Sequence, residues 1–159
     1  MKINESTNVK GEVEATIQYN DGREDEKICF KNTILRTGRY ALASSLANDY
    51  GDDYDYFIAR MIFGDNGTTA DVPKFVNTER NGLFGVTVLS KPVSAAIDSN
   101  NPARVTFTSV ISFSEANGHA LSEMALRMNT GDLYSMVTFP DLTKTETMQV
   151  TWVWSISFV

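Results

Sequence analysis

Thr145-Glu146-Thr147-Met148-Gln149-Val150-Thr151-Trp152-Val153-Trp154-Ser155-Ile156-Ser157-Phe158-Val159 is the stretch whose reading decides the fold. Met148, Val150, Trp152, Trp154, Ile156 and Phe158 fall on every second position, with small, polar or β-branched residues between them. Successive side chains of a strand point to opposite faces, so this period of two lines one face with large apolar groups. A helix would turn the two tryptophans away from each other. The stretch is a strand, and burying each aromatic removes about 150–250 Å² from water, so a second layer must cover that face.

Working outward, Val105, Phe107, Ile111 and Phe113 alternate in a second long strand. Phe107 and Phe113 of this strand, with Val150, Trp152, Trp154, Ile156 and Phe158, make the expected core. Leu121 to Met128 and Leu133 to Phe139 read as further strands, separated by a turn at Gly131-Asp132, with Pro140 expected to stop the second. Val13, Ala15, Ile17 and Tyr19, then Asn20-Asp21-Gly22, then Lys27 to Lys31 give a β-hairpin pattern. Cys29, between Ile28 and Phe30, reads as a buried free thiol. Between residues 33 and 48 the period changes, and Leu35, Leu42, Leu46 and three alanines suit a short helix capped by Thr37. Phe57 to Phe63 reads as a buried strand. Residues 68–84 read as a long loop anchored by Phe75 and Val76, and residues 86–97 as an extended segment bent near Pro92. The expected class is mainly β, an antiparallel β-sandwich with one short helix packed at its side. Residues 1–10 form a polar N-terminal arm and residues 11–159 a single β-sandwich domain.

Size and charge narrow the function. A chain of 159 residues can bury one real core. No apolar run approaches the roughly 20 residues of a membrane span, and the first eight residues lack the apolar core of a secretory signal. The expected product is therefore made in the cytoplasm and has no membrane partner. A net charge of −6, with no run of lysine and arginine, argues against nucleic acid as a partner. Acidic residues crowd around Tyr50, Tyr54 and Tyr56, but without the order of a calcium loop. One cysteine and one histidine cannot build a zinc site.

No catalytic constellation stands out. His119 follows a turn glycine, and no Gly-x-Ser-x-Gly nucleophile elbow accompanies it. Gly64 to Thr69 lacks the Gly-Lys-Ser/Thr ending of a phosphate loop. The expectation is a non-enzymatic protein with no catalytic, cofactor-binding or metal residues and no cofactor. Glu123 is conspicuous because it interrupts an apolar strand, and a buried carboxylate must find partners. Lys144 or Arg127 for a structural salt bridge, or a backbone hydrogen bond, are the candidates. Tyr50, Tyr54, Tyr56 and Phe75 are candidate interface residues, since aromatic side chains are favoured at interfaces.

In the C-terminal half, Asn117-Gly118, Ser122-Glu123-Met124-Ala125-Leu126, Gly131-Asp132-Leu133-Tyr134-Ser135, Phe139-Pro140, Lys144 and Trp152 occur in order. This order resembles a module of tailed-bacteriophage virion structural proteins, found in tail-fibre-attachment, baseplate and accessory components. Arg39-Tyr40-Ala41-Leu42-Ala43 and Ile62-Phe63-Gly64-Asp65 look like its earlier half, extending the resemblance over about residues 33–158. Ala125 stands where the module commonly has glycine, and Arg127 where it has an aromatic residue. The resemblance implies a virion location, other virion proteins as partners, and a tail or baseplate role mounting fibres or joining tail parts. Closed symmetry then suggests a homo-oligomer, a trimer or ring. A capsid decoration (cement) protein is the alternative within that class, and a host-surface carbohydrate-binding module the alternative outside it.

Overall fold

A computed structural model of the chain describes residues 8–47 and 56–159. Two five-stranded antiparallel sheets pack face to face, with one helix beside them. Sheet I has the order β2 (Glu26–Lys31), β1 (Val9–Tyr19), β12 (Met148–Phe158), β9 (Arg104–Ile111), β8 (Ser94–Ile97). Sheet II has the order β3 (Thr33–Ile34), β11 (Leu133–Thr143), β10 (Ala120–Met128), β4 (Ile58–Gly64), β7 (Leu89–Pro92). A separate small hairpin joins β5 (Thr68–Thr69) to β6 (Val72–Pro73).

The terminal strand sits at the centre of sheet I. It pairs with β1 without a break from Val9↔Phe158 to Tyr19↔Met148, and with β9 from Val150↔Ile111 to Ser157↔Arg104. Its period of two holds: Val150, Trp152, Trp154 and Ile156 are buried, facing Val13, Ala15 and Ile17 on β1 and Phe107 and Ile111 on β9 in the same core. Aromatic rings tie the sheets together. Phe63 of sheet II lies 5.4 Å from Trp152, which lies 5.3 Å from Phe139, and Phe139 stacks on Phe30 of sheet I at 5.0 Å. Contacts of this geometry contribute roughly 0.5–1.5 kcal/mol each beyond area burial.

Both lateral edges are turned inward. Only Asn32 separates β2 in sheet I from β3 in sheet II, and only Val93 separates β7 in sheet II from β8 in sheet I. One chain segment thus serves each sheet in turn at either side, as strands do at the corners of folded sheets. The bend expected near Pro92 is one of these corners.

The helix α1 (Arg36–Ala47) packs on β11. Gly38 permits the approach, because a Cβ there would overlap the Tyr134 carbonyl oxygen. Thr37 does not cap the helix; its hydroxyl donates to the Leu133 carbonyl and fastens the helix to the strand. Ala41 is buried and Leu42 partly so, whereas Leu46 faces solvent.

Five further expectations need correction. Pro140 does not end its strand, which continues to Thr143. Between the pairs Leu121↔Leu142 and Glu123↔Thr138, β11 carries extra residues in a bulge that includes Pro140, where a residue without an N–H is tolerated. Phe113 lies beyond the end of β9 and is half-buried in the following turn rather than in the core. Phe158 is only partly buried, because β12 reaches the rim of the sandwich there. Cys29 is exposed: Ile28 and Phe30 take the inward positions of β2, which leaves the residue between them outside. Finally, β1 takes in Val9 and Lys10, assigned from sequence to the arm, and backbone hydrogen bonds between Asn8 and Val159 extend that pairing.

Candidate functional site

The outer face of sheet II is apolar and covered. Ile62 on β4, Ala125 on β10, and Leu133 and Met136 on β11 form a second buried cluster with Leu35 and Val76, against which Leu83 and Phe84 pack. The cover is the segment 65–88, which contains the β5–β6 hairpin. Arg80 and Lys74 place their charges 3.6 Å and 5.0 Å from the centre of the Phe84 ring, holding it as cations hold a π face. Val76 anchors the segment and is buried, but Phe75 is not an anchor: it is 85% exposed. Alternation explains this, since neighbouring residues of an extended chain cannot both face inward.

Glu123 fastens this cover. It is fully buried on β10, and its carboxylate accepts the backbone N–H of Phe84 at 2.6 Å and of Gly85 at 3.0 Å. One residue earlier, the buried Ser122 hydroxyl accepts the N–H of Gly67 at 2.8 Å. A Cβ on Gly67 would overlap the Ser122 carbonyl, so only glycine lets the segment come this close to β10. Hydrogen bonds from backbone N–H groups to a carboxylate are charge-assisted and stronger than neutral ones. The hairpin is joined to β11 as well: Thr138 Oγ1 donates to the Lys74 carbonyl at 2.7 Å, and Thr68 Oγ1 to Asp141 Oδ1 at 2.7 Å. At its tip Ala70 and Asp71 both have positive φ, 49° and 63°, the pair of left-handed residues that a tight two-residue hairpin requires.

Lys144 is the second buried charge, and it does not meet Glu123. Its Nζ donates to the carbonyls of Phe113 at 3.3 Å and Thr145 at 2.9 Å, and to Asn117 Oδ1 at 2.8 Å. The expected Glu123–Lys144 salt bridge is therefore replaced by two separate arrangements, each of which satisfies the charge with polar groups of nearby loops. Desolvation holds the Lys144 ammonium below the ordinary lysine range, with the negative charge of Glu115 acting in the opposite direction. Glu115 itself accepts Lys91 Nζ at 2.7 Å and the Ser112 N–H at 2.9 Å, and these contacts hold its carboxyl below the ordinary glutamate value. Together Lys144, Asn117 and Glu115 fix the turn between β9 and β10. Gly118, at φ 87°, completes that turn by donating its N–H to the Lys144 carbonyl.

The remaining sequence candidates are placed as follows. Trp152 and Trp154 are wholly buried, out of reach of a sugar stacking from outside. Tyr56 is half-buried against the core, while Tyr50 and Tyr54 lie outside the described residues. Phe75 is joined in its exposure by Val72 at 65% and Val86 at 77%, all on the covering segment. His119 Nδ1 lies 2.8 Å from Asp65 Oδ2 at the surface. Among the described residues no group of three or more His, Cys, Asp or Glu could hold a metal ion, and no helix is long and apolar enough to cross a membrane. Sequence reasoning did not find the roles of Ser122, Gly67 and Gly85. The one available signal was Glu123 itself, a carboxylate in an apolar strand with glycines at 64, 67 and 85 far away in sequence. No protein-family model, no curated protein and no solved structure matches the chain.

Proposed function

We propose that the chain is a structural subunit, a rigid β-sandwich whose task is to dock onto other proteins. More particularly, it is a virion component of a tailed bacteriophage, at the tail or baseplate, where it mounts fibres or joins tail parts. The observation that carries this reading is the use made of the polar residues in the phage-like stretch. Glu123, Lys144, Asn117 and Gly118 all engage backbone groups or each other, and so stiffen the covering segment and the β9–β10 turn. Exposed Val72, Phe75 and Val86 stand on the segment that Glu123 fastens. Apolar groups held out on a rigid base suit docking, because little flexibility is lost when a partner arrives.

The test is to locate the chain in intact particles from cells that encode it, by immunogold labelling or by density fitting. Signal at the tail or baseplate is the expected result. Signal confined to the shell points to the cement role and overturns the tail assignment, and absence from particles overturns the virion reading altogether.

A further inference from the structure

The outer face of sheet I carries a concavity of about 740 Å³, in the range of small-ligand sites. Its lining includes Lys10 and Glu12 of β1, Lys31 of β2, Arg104 of β9, and Ser155 and Ser157 of β12. Strand register explains how these groups come together. Ser157 is paired with Lys10 on one side and with Arg104 on the other, so two cations flank one serine across three neighbouring strands. Strands lie about 4.8 Å apart, which sets the Cα atoms of Lys10 and Arg104 roughly 10 Å from each other. That span admits one carboxylate or phosphate group between the two side chains.

Arg104 is already oriented. Its Nη2 donates to Ser155 Oγ at 3.1 Å, while its Nε is buried and has no hydrogen-bond partner. Neither Lys10, Lys31 nor Arg104 forms a salt bridge among the described residues, although the chain as a whole is acidic. A partly enclosed cation without a counter-charge is costly, and an oxyanion offsets that cost through charge-assisted bonds. Glu12, the one acidic residue of the lining, would select against a ligand that places a second negative charge beside it.

The geometry points to this concavity as a binding site for a small oxyanion-bearing ligand, its anionic group seated between Lys10 and Arg104 over Ser157. The inference does not depend on the virion reading. The test is NMR titration of the full chain with inorganic phosphate in one arm and glucuronate in another, against sodium chloride at matched ionic strength. Saturable shifts at Lys10, Arg104 and Ser157 with either anion, and not with chloride, are expected; the arm that saturates first assigns phosphate or carboxylate. Arg104→Ala should weaken that binding roughly tenfold or more, as loss of a charged hydrogen bond does. Lys10→Ala at an exposed position gives the same readout should the arginine variant not fold, and Lys27→Ala, which removes a cation paired with Glu14, should leave binding unchanged. Linear, non-saturating shifts in both arms, shifts equal to those with chloride, or unchanged affinity in Lys10→Ala overturn the inference.

Discussion

The two sheets treat their outer faces in opposite ways. Sheet I presents Lys10, Glu12 and Glu14 on β1, Thr106 and Thr108 on β9, and Thr151, Ser155 and Ser157 on β12, a polar row of which Ser155 alone is buried. Sheet II presents Ile62, Ala125 and Met136, and brings its own cover. Alternation therefore has different meanings in the two halves. In sheet I it separates core from water, whereas in sheet II it separates one core from another, as in sheets covered on both sides. The cover cannot rest on apolar contact alone, because its backbone N–H groups would be buried without partners. Glu123 and Ser122 supply those partners.

The sharpest way to break this contrast is at the closest approach. Gly67→Ala forces a side chain into the Ser122 carbonyl and should cost about 3 kcal/mol or more, whereas Gly82→Ala, with open space around it, should be nearly silent; chemical denaturation of both measures the difference. Next in size is Glu123→Gln. It keeps the shape but turns one acceptor into a donor facing the N–H of Phe84 or Gly85, so about 2 kcal/mol should be lost. Hydrogen exchange should then quicken across residues 77–88 while β1 and β12 keep their protection; uniform quickening would mean that the carboxylate supports the whole sandwich. A paired substitution compares the faces directly. Ile62→Thr beneath the cover should cost roughly 1–3 kcal/mol, and Thr108→Val on the open face should stay within about 0.5 kcal/mol of the parent.

The smallest effect is one of pH. Glu115 has a folded pKa held below its ordinary value of 4.5, through Lys91 first and the Ser112 N–H second. The unfolded chain therefore binds a proton more readily, and the stabilisation is complete above pH 4.5 and is lost as pH falls through the lower, folded value. Glu115→Gln should flatten that part of the acid-unfolding curve by well under 1 kcal/mol, since the pair is partly exposed. An unchanged acid limb in the variant would show that the link adds nothing.

Sheet I was legible because its information is local. The period of two in β12, the hairpin of β1 and β2 and the alternation of β9 each declare a face, and the faces agree. Sheet II was harder, since both faces of β10 are buried and no period of two marks which of them faces the sandwich core. Pro140 looked like a stop because a bulge opposite Ser122 leaves no mark in one strand's own sequence. The segment 65–88 was opaque for a related reason: it is set by Glu123, 39 residues beyond Phe84, and not by any periodicity of its own. That Glu123 needed a partner could be deduced from its neighbours. That the partner was backbone, with Lys144 engaged elsewhere, depended on where two distant loops close.

The crossings at Asn32 and Val93 bear on how such a molecule can be crowded among copies of itself. A flat sandwich offers a long unpaired strand at each side, and identical molecules brought close can zip together along it without limit. Here the outermost strands run from two residues in β3 to six in β2, and at Asn32 and Val93 the chain leads from one layer's edge into the other's. Neighbours must then recognise this surface by its side chains, which sequence can tune, rather than by peptide groups, which every protein shares.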